Sequence, residues 1–267
     1  MSRLTSTFEA LRSRGAKGLV TYVTAGDPDL ARSAEVIRAV ARAGADVIEV
    51  GVPFSDPLAD GPAIQRATER AMAAGTTLGT TLELVAAVRP SVTAPVVLFS
   101  YVNPVLCMGL DTFADRAALA GVDGVLLLDL PIEESTGVRA VLDRRGIDQI
   151  FLVSPTTSEA RLAEAARLGR GFLYAISRLG VTGTREAVAA TAEPLVRRIR
   201  AVTELPIALG FGIAKPEHVR RVWEYADAAV VGSALVEAVG AAAAAGDSPA
   251  TAAAACVGRL KGLSDGH

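Results

Sequence analysis

Eight short runs rich in Val, Ile and Leu recur along the 267 residues, each followed by a longer segment with helical marks. The runs fall at 19–24, 46–51, 95–101, 124–129, 149–154, 171–177, 206–210 and 228–232. They are continuous rather than alternating, as expected for strands of a parallel sheet with both faces covered. Between them, Asp27-Pro28-Asp29, Pro131-Ile132-Glu133-Glu134, Thr157-Ser158-Glu159, Lys215-Pro216-Glu217 and Ser248-Pro249 place caps, prolines and acids where helices begin. Eight strand–helix units in this length predict a (β/α)8 barrel, a TIM barrel, with Leu4, Phe8 and Leu11 on an extra N-terminal helix that plugs its base. A doubly wound open sheet is the competitor. It usually has a Gly-rich turn after its first strand, but that turn here is Thr24-Ala25-Gly26-Asp27-Pro28, without G-x-G-x-x-G.

Composition narrows the function classes. Apolar residues make up 51 %, which excludes a disordered chain, and 27 basic against 29 acidic residues argue against nucleic-acid binding. No apolar run reaches the length of a membrane span, and no apolar stretch follows the N-terminal helix as it would in a secretory signal. Cys107 and Cys256 cannot form a disulfide framework, so a cytoplasmic location is expected. No linker or composition break divides the chain, and residues 1–267 are read as one domain.

Two strand-to-helix connections are unusually long, after the second strand and after the sixth. On the barrel fold such loops gather at the catalytic rim. Alternation along Asp46-Val47-Ile48-Glu49-Val50-Gly51 turns Ile48 and Val50 toward the helices, and Val47, Glu49 and Gly51 into the barrel. A structural Glu49 would need a cation on a neighbouring strand, and no strand candidate contains Arg or Lys. The loop after it carries three prolines, Asp56 and Asp60, with Phe54 and Leu58 between. Asp60 either caps the helix that follows Gly61-Pro62 or returns over the mouth to work with Glu49. The stretch 177–185 after the sixth strand reads as a lid or as a plain connector, with no strong helix signal before Pro194. Gly210, Gly212 and Gly232, with a short helix opening at Ser233, suit either an anion held by backbone amides or tight turns.

Elimination removes several chemistries. Lys17, Lys215 and Lys261 are the only lysines and none lies at a strand end, so a Schiff-base aldolase lacks its nucleophile. His218, expected at the surface, and His267 are the only histidines, too few for an imidazole metal cluster or a triad. What remains is lysine-free, metal-free acid–base chemistry on a phosphorylated substrate.

The motifs are specific enough to carry a resemblance. Residues 22–28, the fourteen residues 49–62, Asp129-Leu130-Pro131, residues 177–183, residues 210–213 and Gly232-Ser233 are similar to the family of tryptophan synthase α subunits. Tyr22 is a mild departure that adds a hydroxyl. The resemblance implies a lyase of tryptophan biosynthesis that cleaves indole-3-glycerol phosphate, by a retro-aldol reaction, to indole and glyceraldehyde 3-phosphate. Glu49 matches the proton shuttle, with a pKa expected to rise toward neutrality in a dry mouth. Asp60 matches the carboxylate that stays ionised beside the indole N–H, with the lower pKa of the two.

By the same resemblance Gly183, Gly212, Gly232 and Ser233 hold the phosphate. Tyr22, Ile64, Tyr101, Tyr174 and Phe211 line the indole pocket, and Thr182 touches Asp60 when the lid closes. It also implies a partner, the β subunit carrying pyridoxal phosphate, in an αββα tetramer, while this chain holds no cofactor. The loop at Asp56 and Pro57 and the turn Asn103-Pro104-Val105-Leu106 are the candidate contacts. Two rivals stand beside this reading: another phosphate-binding barrel enzyme such as an isomerase, and a barrel whose job is to bind and activate a partner.

Overall fold

The computed structural model describes residues 1–176, 185–210 and 212–262, without the side chains of 185–191. Thr182, Gly183 and Phe211, with the rest of 177–184, lie outside the described residues. Eight parallel strands close into a barrel in chain order. They are β1 (Gly18–Thr24), β2 (Val47–Gly51), β3 (Val96–Ser100), β4 (Gly124–Leu127), β5 (Asp148–Val153), β6 (Leu173–Ile176), β7 (Ile207–Gly210) and β8 (Ala228–Val231). Among the described residues the helices are α1 (Arg3–Ser13), α2 (Leu30–Arg42), α3 (Pro62–Ala73), α4 (Leu78–Val88), α5 (Val102–Met108) and α6 (Leu110–Ala120). They continue with α7 (Ser135–Asp143), α8 (Glu159–Leu168), α9 (Arg185–Arg200), α10 (Pro216–Trp223), α11 (Ser233–Ala245) and α12 (Pro249–Lys261).

The caps sit where the sequence places them. Asp29, Ser158 and Ser248 each accept the amide three residues on, satisfying donors that a helix start leaves free. Three local expectations are corrected. The stretch Asn103–Leu106 is not a turn but part of α5, which has Tyr101 at its N-cap position and is capped from beyond β4 by Asp129, whose Oδ1 accepts the Val102 amide at 2.7 Å. Helix α9 begins at Arg185 and runs through Pro194. The lost backbone bond at Pro194 is tolerated because Ala192, Leu195, Val196 and Ile199 form one buried stripe at helical spacing. The helix opening at Ser233 is not short but runs thirteen residues.

Apolar side chains fill two concentric cores. One lies between strands and helices, and the other fills the barrel, where Leu4, Phe8 and Leu11 of α1 enter from below. Phe8 and Phe172 meet at a tilt with centroids 5.6 Å apart, so α1 does plug the base. Three aspartates fasten that end. Asp46, Asp123 and Asp227 accept the amides of Leu19, Val96 and Ile207, at the starts of β1, β3 and β7, at 2.7, 2.8 and 2.8 Å. Each also pairs with a cation: Lys261, Arg3 with Arg89, and Arg200 with Lys17.

Following the strand register around the barrel sorts the inward side chains into layers contributed by alternate strands. Val20, Val97, Ile150 and Ala208 form a lower layer. Above it come Glu49, Leu126, Tyr174 and Val230, then Tyr22, Phe99, Leu152 and Gly210. The one carboxylate in this stack therefore lies at mid-height among apolar neighbours. Among the described residues no single helix is long and apolar enough to cross a membrane.

Candidate active site

Glu49 points inward from β2, as alternation requires, and is fully buried. Neither of its carboxylate oxygens has a hydrogen-bond partner. Stripped of water and given no donor or cation in return, the ionised form is penalised, and burial pushes the group up to about 8. At neutral pH it is a protonated acid. Its flanking register partners are Tyr22 on β1 and Val97 on β3.

Asp60 reaches the mouth from the loop between β2 and α3. It does not cap α3: the cap position is Gly61, with no side-chain bond. The carboxylate instead lies beside the Tyr101 hydroxyl, which favours its charged form, and that hydroxyl accepts the Ala59 amide at 2.9 Å. Phe54 packs on the Tyr101 ring at 5.0 Å, so the loop clasps this tyrosine on both sides. Partial burial raises Asp60 and the Tyr101 hydroxyl lowers it, leaving it at about 6. The same surroundings push Tyr101 up to about 12, burial being the main cause. The two acids thus differ in the expected order, with Asp60 ionised and Glu49 neutral near pH 7.

A cavity of about 300 Å³ opens at the C-terminal end of the barrel. Asp60, Ile64, Tyr174, Gly212, Gly232 and Ser233 all line it. Ser233 begins α11, so unpaired helix amides lie at the cavity. Tyr22 and Tyr101 stand behind the wall rather than on it. Tyr22 is buried over Gly51, where a Cβ would overlap its hydroxyl, and meets Phe99 edge-on at 5.2 Å. Burial first, then the nearby Asp60 and Glu49, raise its phenol far above the usual range. Tyr174 is accommodated in the same way over Gly210.

Phe99, Leu128, Leu152, Ile176 and Ile213 complete the apolar wall and were not singled out in the sequence. The period-two alternation that exposes Glu49 also points Phe99, Leu152 and Ile176 inward. Among the described residues no group of His, Cys, Asp and Glu is placed to hold a metal ion.

Comparison with known proteins agrees with this architecture. The profile of the family described as "Tryptophan synthase alpha chain" matches residues 8–264. The tryptophan synthase alpha chain of Geobacter sulfurreducens is 50% identical over 237 residues, 89% of this chain and 90% of that protein. That of Methylococcus capsulatus is 51% identical over 243 residues, 91% of each. Tryptophan synthase subunit alpha from Legionella pneumophila superposes with a TM-score of 0.91 at 38% identity, covering 99% of both chains. A tryptophan synthase structure from Mycobacterium tuberculosis gives 0.88 at 37% identity, covering 97% of this chain and 96% of that one. The chain belongs to the tryptophan synthase alpha chain family, and is a lyase of tryptophan biosynthesis.

Proposed function

We propose that Glu49 and Asp60 divide the work of cleaving indole-3-glycerol phosphate without metal or imine. Losing the side chain at indole C3 requires that carbon to gain a proton while the adjacent hydroxyl gives one up. Glu49, protonated at neutral pH, donates to C3, and its carboxylate then takes the hydroxyl proton. Asp60, ionised at the same pH, faces the indole N–H and stabilises the positive charge that develops on the ring. The carbon–carbon bond breaks to indole and glyceraldehyde 3-phosphate. The observation that carries this reading is the unbonded Glu49 carboxyl in an otherwise apolar barrel layer, two of whose members, Tyr174 and Val230, also line the cavity.

The phosphate belongs at the start of α11, with Gly212, Gly232, Ser233 and the helix amides, joined by Gly183 from outside the described residues. Thr182 and Phe211, also outside them, complete the lid and pocket in this scheme. Tyr174 and Ile64 offer the indole an apolar wall, with Tyr22 and Tyr101 as support. The partner is a β subunit holding the pyridoxal phosphate, in an αββα assembly in the cytoplasm. Leu58, 96% exposed, and Leu106, 62% exposed, lie on the two expected contact segments and offer that partner apolar anchors.

Indole release from indole-3-glycerol phosphate, with and without a β subunit, tests the proposal. Glu49→Gln should lower kcat by about 10²–10⁴-fold, the usual worth of a positioned proton donor. Turnover near that of the wild type would show that the proton travels elsewhere.

A further inference from the structure

One charged side chain on the cavity wall has no part in that chemistry. Glu237 lies four residues after Ser233 on α11, and helix side chains lean toward the N-terminus. Its carboxylate therefore covers the turn that carries Gly232 and Ser233, and it lines the same cavity as they do. An acid at that place opposes a bound anion. Among the described residues no Arg, Lys or His lines this cavity to offset it.

The offsetting charge stands beside the cavity, on α3. Arg66 Nη2 is 3.9 Å from Glu237 Oε1, and the two side chains are 58% and 62% exposed. An ion pair so long and so wet holds its members weakly, so the guanidinium changes partners at little cost. Arg70, the other arginine of this face, is not free to do so. It is bound to the buried Asp27 by two hydrogen bonds of 2.7 and 2.9 Å. Arg66 and Glu237 share a groove of about 360 Å³ between α3 and α11, which gives the guanidinium room to swing.

We propose that Arg66 is the cation of the phosphate end, and that Glu237 competes with the ligand for it. With a phosphate monoester at the start of α11, Arg66 leaves Glu237 for the dianion. When the ester departs, Glu237 recaptures it. The inference rests on the placement of phosphate given above and adds a side-chain pair to a site otherwise made of backbone amides and one hydroxyl.

Calorimetric titration with glycerol 3-phosphate tests it on the wild type, Arg66→Gln and Glu237→Gln, the two variants being exposed-site changes that leave the core untouched. Arg66→Gln should weaken binding by about three- to tenfold and flatten its salt dependence, while Glu237→Gln should tighten it by about two- to fivefold. Unchanged affinity in Arg66→Gln, no tightening in Glu237→Gln, or no binding by the wild type would each overturn the proposal. Indole release by the wild type separates the two readings. If that assay succeeds while Arg66→Gln binds normally, only the role of Arg66 falls.

Discussion

The Tyr101 hydroxyl accepts the amide of Ala59 at 2.9 Å, which sets the phenol beside the Asp60 carboxylate at the mouth of the barrel. One hydroxyl thus holds the loop that carries the acid. Its closeness also favours the charged form of Asp60, against burial that disfavours it.

Removing that hydroxyl has a readable consequence. Tyr101→Phe deletes the interaction that lowers Asp60, so its pKa rises above about 6. The pH profile of kcat/KM should be bell-shaped, with limbs near about 6 and about 8 from Asp60 and Glu49. In the variant the acid limb should move to higher pH by about one unit or less, while the base limb stays. Steady-state rates across pH 5 to 9 measure both limbs at once. An unmoved acid limb would mean that the Tyr101 hydroxyl does not govern Asp60.

Glu49 makes the stability of the protein pH-dependent. Its folded pKa, about 8, lies above the ordinary value of 4.5, so the folded state prefers the neutral acid. Stability is full below pH 4.5 and is lost as pH climbs toward 8, because the unfolded chain ionises first. Glu49→Gln cannot ionise and escapes this loss. The stability of the variant relative to the wild type should therefore grow by about 3 kcal/mol between pH 5 and pH 8. Urea unfolding at a series of pH values measures it, and a constant difference would argue against a buried, unpaired carboxyl.

Gly51 exists to make room. It is the position on β2 over which Tyr22 lies, and a Cβ there would overlap the phenol hydroxyl and ring. Since the ring is hemmed in by Phe99 edge-on at 5.2 Å, it has little space to yield. Gly51→Ala should cost about 1–3 kcal/mol, the usual range for overpacking a core. A lowered Tm by calorimetry checks this, and Gly51→Ala combined with Tyr22→Leu should recover part of the loss.

Much of this architecture is legible from residues alone, for identifiable reasons. The strands announce themselves because a parallel sheet buried on both faces needs unbroken Val, Ile and Leu. Glu49 is placed by alternation along five residues of β2, and α2, α8 and α12 are marked by Asp29, Ser158 and Ser248. The Ala59–Tyr101 bond that sets the phenol beside Asp60 is not legible, since it joins residues 42 apart through a loop whose path depends on where α5 begins. Reading Asn103–Leu106 as a turn hid that start, and with it the orientation of Tyr101 at the cap. The layer that isolates Glu49 among Leu126, Tyr174 and Val230 comes from barrel stagger, which no single strand encodes. The part of α9 before Pro194 is not legible either, because a proline reads as the start of a helix and not as its interior.

The protonation of Glu49 itself carries the account, and it can be observed directly. Infrared difference spectroscopy of the wild type against Glu49→Gln, titrated from pH 5 to 9, isolates one carboxyl band. That band should persist through neutrality and give way to carboxylate near about 8. A Glu49 already ionised at pH 5 would contradict the account, because no proton would then be in place for the carbon that must receive it.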